Sequence, residues 1–116
     1  MIHEMRLDPA PFAAIARGAK TVEMRLYDEK RRQISVGDEI LFLERGGTAT
    51  LRTEVVALHI FPSFRELYAA FPKAALGYGE GEPSDPSDME KYYSAAEQKT
   101  HGVVGIEVKC KQNQAI

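Results

Sequence analysis

The chain has 116 residues, a net charge of −2 and 28% charged residues, which fits one domain of modest stability and argues against a protein that coats long nucleic acid. Hydrophobic residues make up 44%, an ordinary share for a globular domain, and no apolar run approaches the roughly 18 residues of a membrane span. The lone cysteine, Cys110, excludes an internal disulfide and has no partner for a CxxC or zinc pattern.

In chain order, the opening MIHEMRLDPAPF lacks the basic-then-apolar pattern of a signal peptide, so the cytoplasm is the expected compartment. Within it, IHEMRL reads as a first strand. Asp8 reads as a helix N-cap with Pro9 at the first helical position. Phe12, Ile15 and Ala16 give the short helix one apolar stripe, and Gly18 is placed to end it in a left-handed conformation. Val22, Met24 and Leu26 then alternate with Thr21, Glu23, Arg25 and Tyr27, a period of two that predicts a strand with one face in the core and one polar face. VGD turns the chain, EILFLER is a strand, Gly46-Gly47 signals a hairpin, and TATLRTEVVALHIF is a longer strand.

Three S-x-x-E boxes follow: Ser63 with Glu66, Ser87 with Glu90, and Ser94 with Glu97. The first opens a helix carrying Phe64, Leu67, Tyr68 and Phe71 at helical spacing. The third opens a short helix that Gly102 closes. Between the first two boxes lies ALGYGEGEPSDPSD, an acidic Gly/Pro-rich loop that reads as a mobile flap without the pattern of a calcium loop. GVVGIEVK is the last strand. No repeat or linker divides the chain, so residues 1–110 are expected to form a single domain and residues 111–116 a frayed tail. The order of elements predicts an α+β or mainly β fold, most simply a small barrel with short helices packed outside. Its core is expected to hold Val22, Met24, Leu26, Ile40, Phe42, Val104 and Ile106, sealed by Phe64 and Leu67.

The charges are unevenly placed. Residues 1–56 hold nine basic and nine acidic side chains, and residues 57–116 hold six and eight. An anion site must therefore be local, and Arg17 to Arg32 is the densest basic run. Glu23 and Arg25 are two apart on one strand, roughly 6.6 Å between Cα atoms, and Lys20 can swing toward either. A carboxylate beside cations stays ionised and can bind an exocyclic amine or orient water. Arginine offers a two-pronged donor to a carbonyl or phosphate. Together these suit a planar polar ligand such as a nucleobase, converging on a partly exposed cleft. A charged strand face is more often simply solvated, and the EKRR run more often a solvated turn. His3, His59 and His101 show no ligand spacing, so no metal or cofactor is expected. Tyr92 and Tyr93 are core candidates, one of which can supply a stacking face.

Gly18, Lys20, Glu23 and Arg25 also match G-x-K-x-x-E-x-R, the signature of the ASCH domain family. VGDEILF resembles the strand that follows the motif there. LGY, the acidic loop, DMEKYYS and HGVVGIEV resemble the second half of bacterial stand-alone members. The resemblance runs from Met1 to about Lys109. It implies a small PUA-like β-barrel with short flanking helices, and a cleft lined by the motif strand. It further implies an RNA or nucleoside-like ligand. One branch of small members hydrolyses the acetyl amide of N4-acetylcytidine with a lysine, a threonine and a glutamate. Lys20 matches that lysine, but Glu23 stands at the threonine's position. Thr21 shares the polar face without occupying the matching place. The branch's glutamate is left open among Glu80, Glu82 and Glu97.

The leading reading is a binding module. Lys20, Thr21, Glu23, Arg25 and Tyr93 hold an RNA nucleotide or a nucleoside, and Lys30, Arg31 and Arg32 supply phosphate contacts. The alternative is a small amidohydrolase in which Glu23 activates water and Lys20 stabilises the oxyanion. A protein-interaction domain is a third possibility. No DNA or membrane partner is expected, and the chain is read as a monomer or weak homodimer.

Overall fold

The structure, a computed structural model, describes residues 1–111. Strand β1 (Ile2–Leu7) lies parallel to β3 (Glu39–Glu44), with Ile2 opposite Glu39 and Leu7 opposite Glu44. Parallel neighbours need a crossover, and this one carries helix α1 (Pro9–Ala16) and strand β2 (Val22–Leu26). Strand β4 (Thr50–Phe61) returns against β3 through the Gly46-Gly47 hairpin. Strand β5 (Val103–Cys110) pairs with β4 on one side and β2 on the other. The order β1-β3-β4-β5-β2 makes one mixed sheet. It curls into a half-barrel, helped by an irregular register between Val55 and Ala57 that bends β4. The two edges left over are β1 and β2.

Helix α1 starts at Asp8, whose extended backbone caps it without a side-chain bond, and Pro9 fills the first turn. Gly18 follows the helix at φ 80°, a conformation that glycine adopts at no steric cost. Helix α2 (Phe64–Ala70) buries Phe64, Leu67 and Tyr68. Helix α3 (Ala95–His101) has the full capping box of Ser94 and Glu97, and Gly102 at φ 72° ends it. The other two S-x-x-E boxes differ from expectation. The Ser63 hydroxyl donates to the Glu66 carboxylate instead of capping the backbone. Asp85, not Ser87, caps the 3-10 turn Pro86–Lys91 by accepting from the Ser87 N–H at 2.9 Å. Asp85 sits one residue before Pro86, in the N-cap position, and Ser87 lies inside the turn as the donor to it.

The core is split, where the sequence suggested one. Met5, Leu7, Phe12, Ile15, Ile40, Phe42, Val104 and Ile106 fill the inside of the half-barrel, with α1 as its lid. Val22, Met24 and Leu26 lie on the opposite face of the sheet, against Phe64, Leu67, Leu76 and Met89. Strand β2 is thus covered on both sides. Gly105 permits the close approach of α2, since a Cβ there would stand 3.1 Å from Val22 and 3.4 Å from Leu67. Thr53 is a buried polar group, satisfied by donating to the Ile40 carbonyl at 3.0 Å.

The acidic loop, read as a flap, is tied down at several points. The Lys73 ammonium donates to the Glu80 and Glu82 carbonyls at 2.7 and 2.6 Å. The Tyr78 hydroxyl meets Tyr68 at 2.8 Å and Asp88 at 2.7 Å. Lys111 is bonded to Arg52 and Glu39; residues 112–116 of the expected tail lie outside the described residues. Among the described residues no helix is long and apolar enough to cross a membrane.

Candidate functional site

The register of β2 against β5 decides where the motif points. Glu23 stands opposite Ile106 and Arg25 opposite Val104. Directly opposite residues share a face, and Val104 and Ile106 face the barrel interior. The polar face of β2 is therefore turned inward, at the mouth where the two sheet edges meet. This explains why two residues of the cleft expected from alternation are more deeply placed than a solvated strand face would be: Lys20 is 7% and Glu23 4% exposed, with Arg25 only partly buried.

Glu23 sits between two cations. Its Oε1 is 3.0 Å from Lys20 Nζ, and its Oε2 is 2.6 Å from Arg25 Nε. Arg25 then reaches across the seam, and its Nη2 donates to the Arg6 carbonyl on β1 at 2.8 Å. One guanidinium thus joins the motif strand to the far edge of the half-barrel. The stem of Lys20 is covered by Gly77, whose φ is 102° and where a Cβ would stand 3.0 Å from Lys20 Cδ. The LGY segment therefore acts as a wall of the site.

Burial works to raise the Glu23 carboxyl, but the charges of Lys20 and Arg25 and the hydrogen bonds they donate outweigh it and hold the pKa below its ordinary 4.5. Burial likewise works to lower Arg25, and the Glu23 carboxylate more than offsets it, so Arg25 stays firmly cationic. Burial raises the Tyr93 hydroxyl against the opposing pull of Arg25 and Arg31, which keeps it protonated and able to donate.

These groups line a pocket of about 150 Å³ together with Arg6, Asp8, Arg45, Met89, Tyr92 and Tyr93. Tyr93 is backed by Phe64, stacked at 5.8 Å and 24°. Tyr92 is 55% exposed at the pocket. Of the residues singled out in the sequence, the structure brings Lys20, Glu23, Arg25 and Tyr93 together. Thr21 lies outside the pocket, in a shallow depression beside Cys110, with its carbonyl bonded to Val108. Lys30, Arg31 and Arg32 do not line the pocket. Arg31 is held by Asp28 at 2.9 Å, and Arg32 lies 4.2 Å over the Tyr27 ring and donates to the His101 carbonyl. None of Glu80, Glu82 and Glu97 reaches the pocket either. Glu82 accepts from Gly79 and Glu97 from Ser94 in their own turns. The pocket's second acid is Asp8, which the sequence marked only as a helix cap. Arg6 and Arg45 carried no local signal. They join the site through the parallel pairing of β1 with β3, fastened by the Arg45 N–H donating to Leu7 at 2.7 Å. Among the described residues no group of three His, Cys, Asp or Glu side chains is placed to hold a metal ion.

A curled mixed half-barrel with a charged seam cleft and short outer helices defines a PUA-like protein. The ASCH domain profile matches residues 5–112, and the chain belongs to that family. Solved structures agree. The hypothetical protein PH0355 is 30% identical with a TM-score of 0.79, covering 96% of this chain and 100% of that one. Protein PF0455 from Pyrococcus furiosus is 35% identical with a TM-score of 0.70, covering 97% and 100%. The ASCH protein of Zymomonas mobilis has the same fold at 17% identity and a TM-score of 0.64, covering 93% of this chain and 66% of that one. No functionally curated protein matches the chain.

Proposed function

We propose that the chain binds a nucleobase, carried by a single-stranded RNA nucleotide or a nucleoside, in the seam pocket. The observation that carries this reading is the state of Glu23: an ionised carboxylate, almost fully buried, held by a cation on each oxygen. A fixed acceptor beside the Arg25 donors suits the amine and carbonyl edge of a base, and Tyr93 supplies an aromatic wall. A cavity of about 150 Å³ is the size that takes a single ring, and is smaller than the ~300 Å³ or more of pockets for drug-sized ligands. The same state of Glu23 weighs against catalysis. A general base works best with a pKa near the operating pH, and that of Glu23 is moved the other way.

The amidohydrolase reading keeps one supporting observation, the Lys20–Glu23 contact at 3.0 Å, which pairs an oxyanion donor with a carboxylate. Titration with cytidine, uridine and short oligoribonucleotides, alongside an assay of N4-acetylcytidine turnover, separates the two. Binding of a base with negligible turnover is the expected outcome. Robust turnover that is lost in both Glu23→Gln and Lys20→Met would make the protein an enzyme. Oligonucleotide affinity that falls steeply with salt identifies phosphate contacts, about 0.7 in log–log slope per phosphate on a single strand.

A further inference from the structure

We infer that the seam pocket continues into a phosphate subsite, so that its ligand is a nucleotide and not a bare base; this rests on the base-binding reading above. A second groove, of about 310 Å³, lies along the β3–β4 hairpin and shares Arg6 and Arg45 with the pocket. The two cavities therefore meet at a pair of arginines. The Arg6 guanidinium is exposed and has no ion-pair partner among the described residues. Arg45 is held only by Asp8, at 3.3 Å, with both side chains about half exposed or more. An anion arriving at Arg45 would take the place of Asp8. Beyond the arginines, the backbone N–H groups of Gly46 and Thr48 make no backbone hydrogen bond. Glu44 also lines the groove, so the subsite is not uniformly basic. Even so, four basic and three acidic residues line the two cavities together, in a chain of net charge −2. In the Lys30-Arg31-Arg32 run, two of the three cations are already engaged, Arg31 by Asp28 and Arg32 by the Tyr27 ring and the His101 carbonyl.

The test uses cytidine, cytidine 3′- and 5′-monophosphate, inorganic phosphate and a short oligoribonucleotide, followed by backbone amide shifts and affinity. Cytidine is expected to shift Lys20, Glu23 and Tyr93 alone. A monophosphate is expected to add shifts at Gly46 and Thr48 and to bind about tenfold tighter. Arg6→Gln and Arg45→Gln, both at exposed positions, should erase that gain, so that each variant binds the monophosphate no more tightly than it binds cytidine. A further gain for the oligonucleotide over the monophosphate identifies a strand as the source of the phosphate, and equal affinity identifies a free nucleotide. Monophosphate and cytidine binding equally, with shifts confined to the pocket, would overturn the subsite and leave base binding intact. Hairpin shifts with phosphate but none at Lys20, Glu23 or Tyr93 would instead sink the base pocket. Silence with every probe would end both.

Discussion

Glu23 carries more of this molecule than one carboxylate usually does. Its one negative charge pairs with both Lys20 and Arg25. Removing one partner of a buried ionic group leaves a charge uncompensated and costs about 3–5 kcal/mol, so Glu23→Gln should lower the melting temperature clearly at pH 7. The pH dependence has a definite sign. The folded pKa lies below the ordinary 4.5, so the stabilisation is complete above that value and drains away as pH falls through the depressed one. The stability gap between wild type and Glu23→Gln should therefore be widest near neutrality and narrow below pH 4.5. A gap that does not change down to pH 3 would mean that the carboxylate is not the titrating group. Gly77 is the neighbouring sensitive point. An alanine there would adopt a strained positive φ and press on the Lys20 stem, costing at least about 1 kcal/mol and loosening the Lys20–Glu23 contact. Gly77→Ala should thus lose both stability and base affinity, and retained affinity would show that Lys20 is not held from that side. Spacing put Glu23 and Arg25 on one strand face, and the match to the family signature singled out the motif residues. Their burial was not legible, because alternation separates two faces without saying which one meets water.

At the scale of elements, β2 shows what a period of two can hide. It predicts a strand correctly and assigns Val22, Met24 and Leu26 to one apolar face, which packs on α2 as a buried surface. The opposite face is also covered, by the barrel mouth, and the charges survive there only because they pair. Met24→Asp would place an unpaired charge against Phe64, Leu67 and Met89 and should cost on the order of 3 kcal/mol or more. Denaturation of this variant within error of wild type would refute the packing of β2 on α2. Strand and helix limits elsewhere were readable from caps and turns: Gly18, Gly46, Gly102 and the Ser94 box all sit where the backbone needs them, although the turn read as two residues at Gly46-Gly47 is longer, since β3 ends at Glu44 and β4 begins at Thr50. Ser87 misled because S-x-x-E is short, and Asp85 competes for the same turn. The acidic loop misled because glycines and acids suggest mobility, while its ties run through Lys73 and Tyr78 to carbonyls and hydroxyls that no local pattern reveals.

At the scale of the whole molecule, the half-barrel has an unfinished seam. Its edges, β1 and β2, are not neighbours in the sheet order, and Arg25 spans them with a single donated bond to the Arg6 carbonyl. Sequence could not show this, since Arg6, Asp8 and Arg45 lie on segments that converge with the motif only after the chain has crossed over and folded back. The seam is also where the pocket opens, so closure and ligand access share one guanidinium. Lysine in its place keeps the charge but loses the fork that touches Glu23 and Arg6 together. Arg25→Lys should therefore cost about 1–3 kcal/mol, the worth of a charged hydrogen bond, and should weaken base binding at the same time. Denaturant titration and base affinity measured on the same variant check the coupling. If stability falls while affinity is kept, the arginine serves the seam alone. If affinity falls while stability is kept, α1 and the β1–β3 ladder hold the barrel without it, and Arg25 belongs to the ligand.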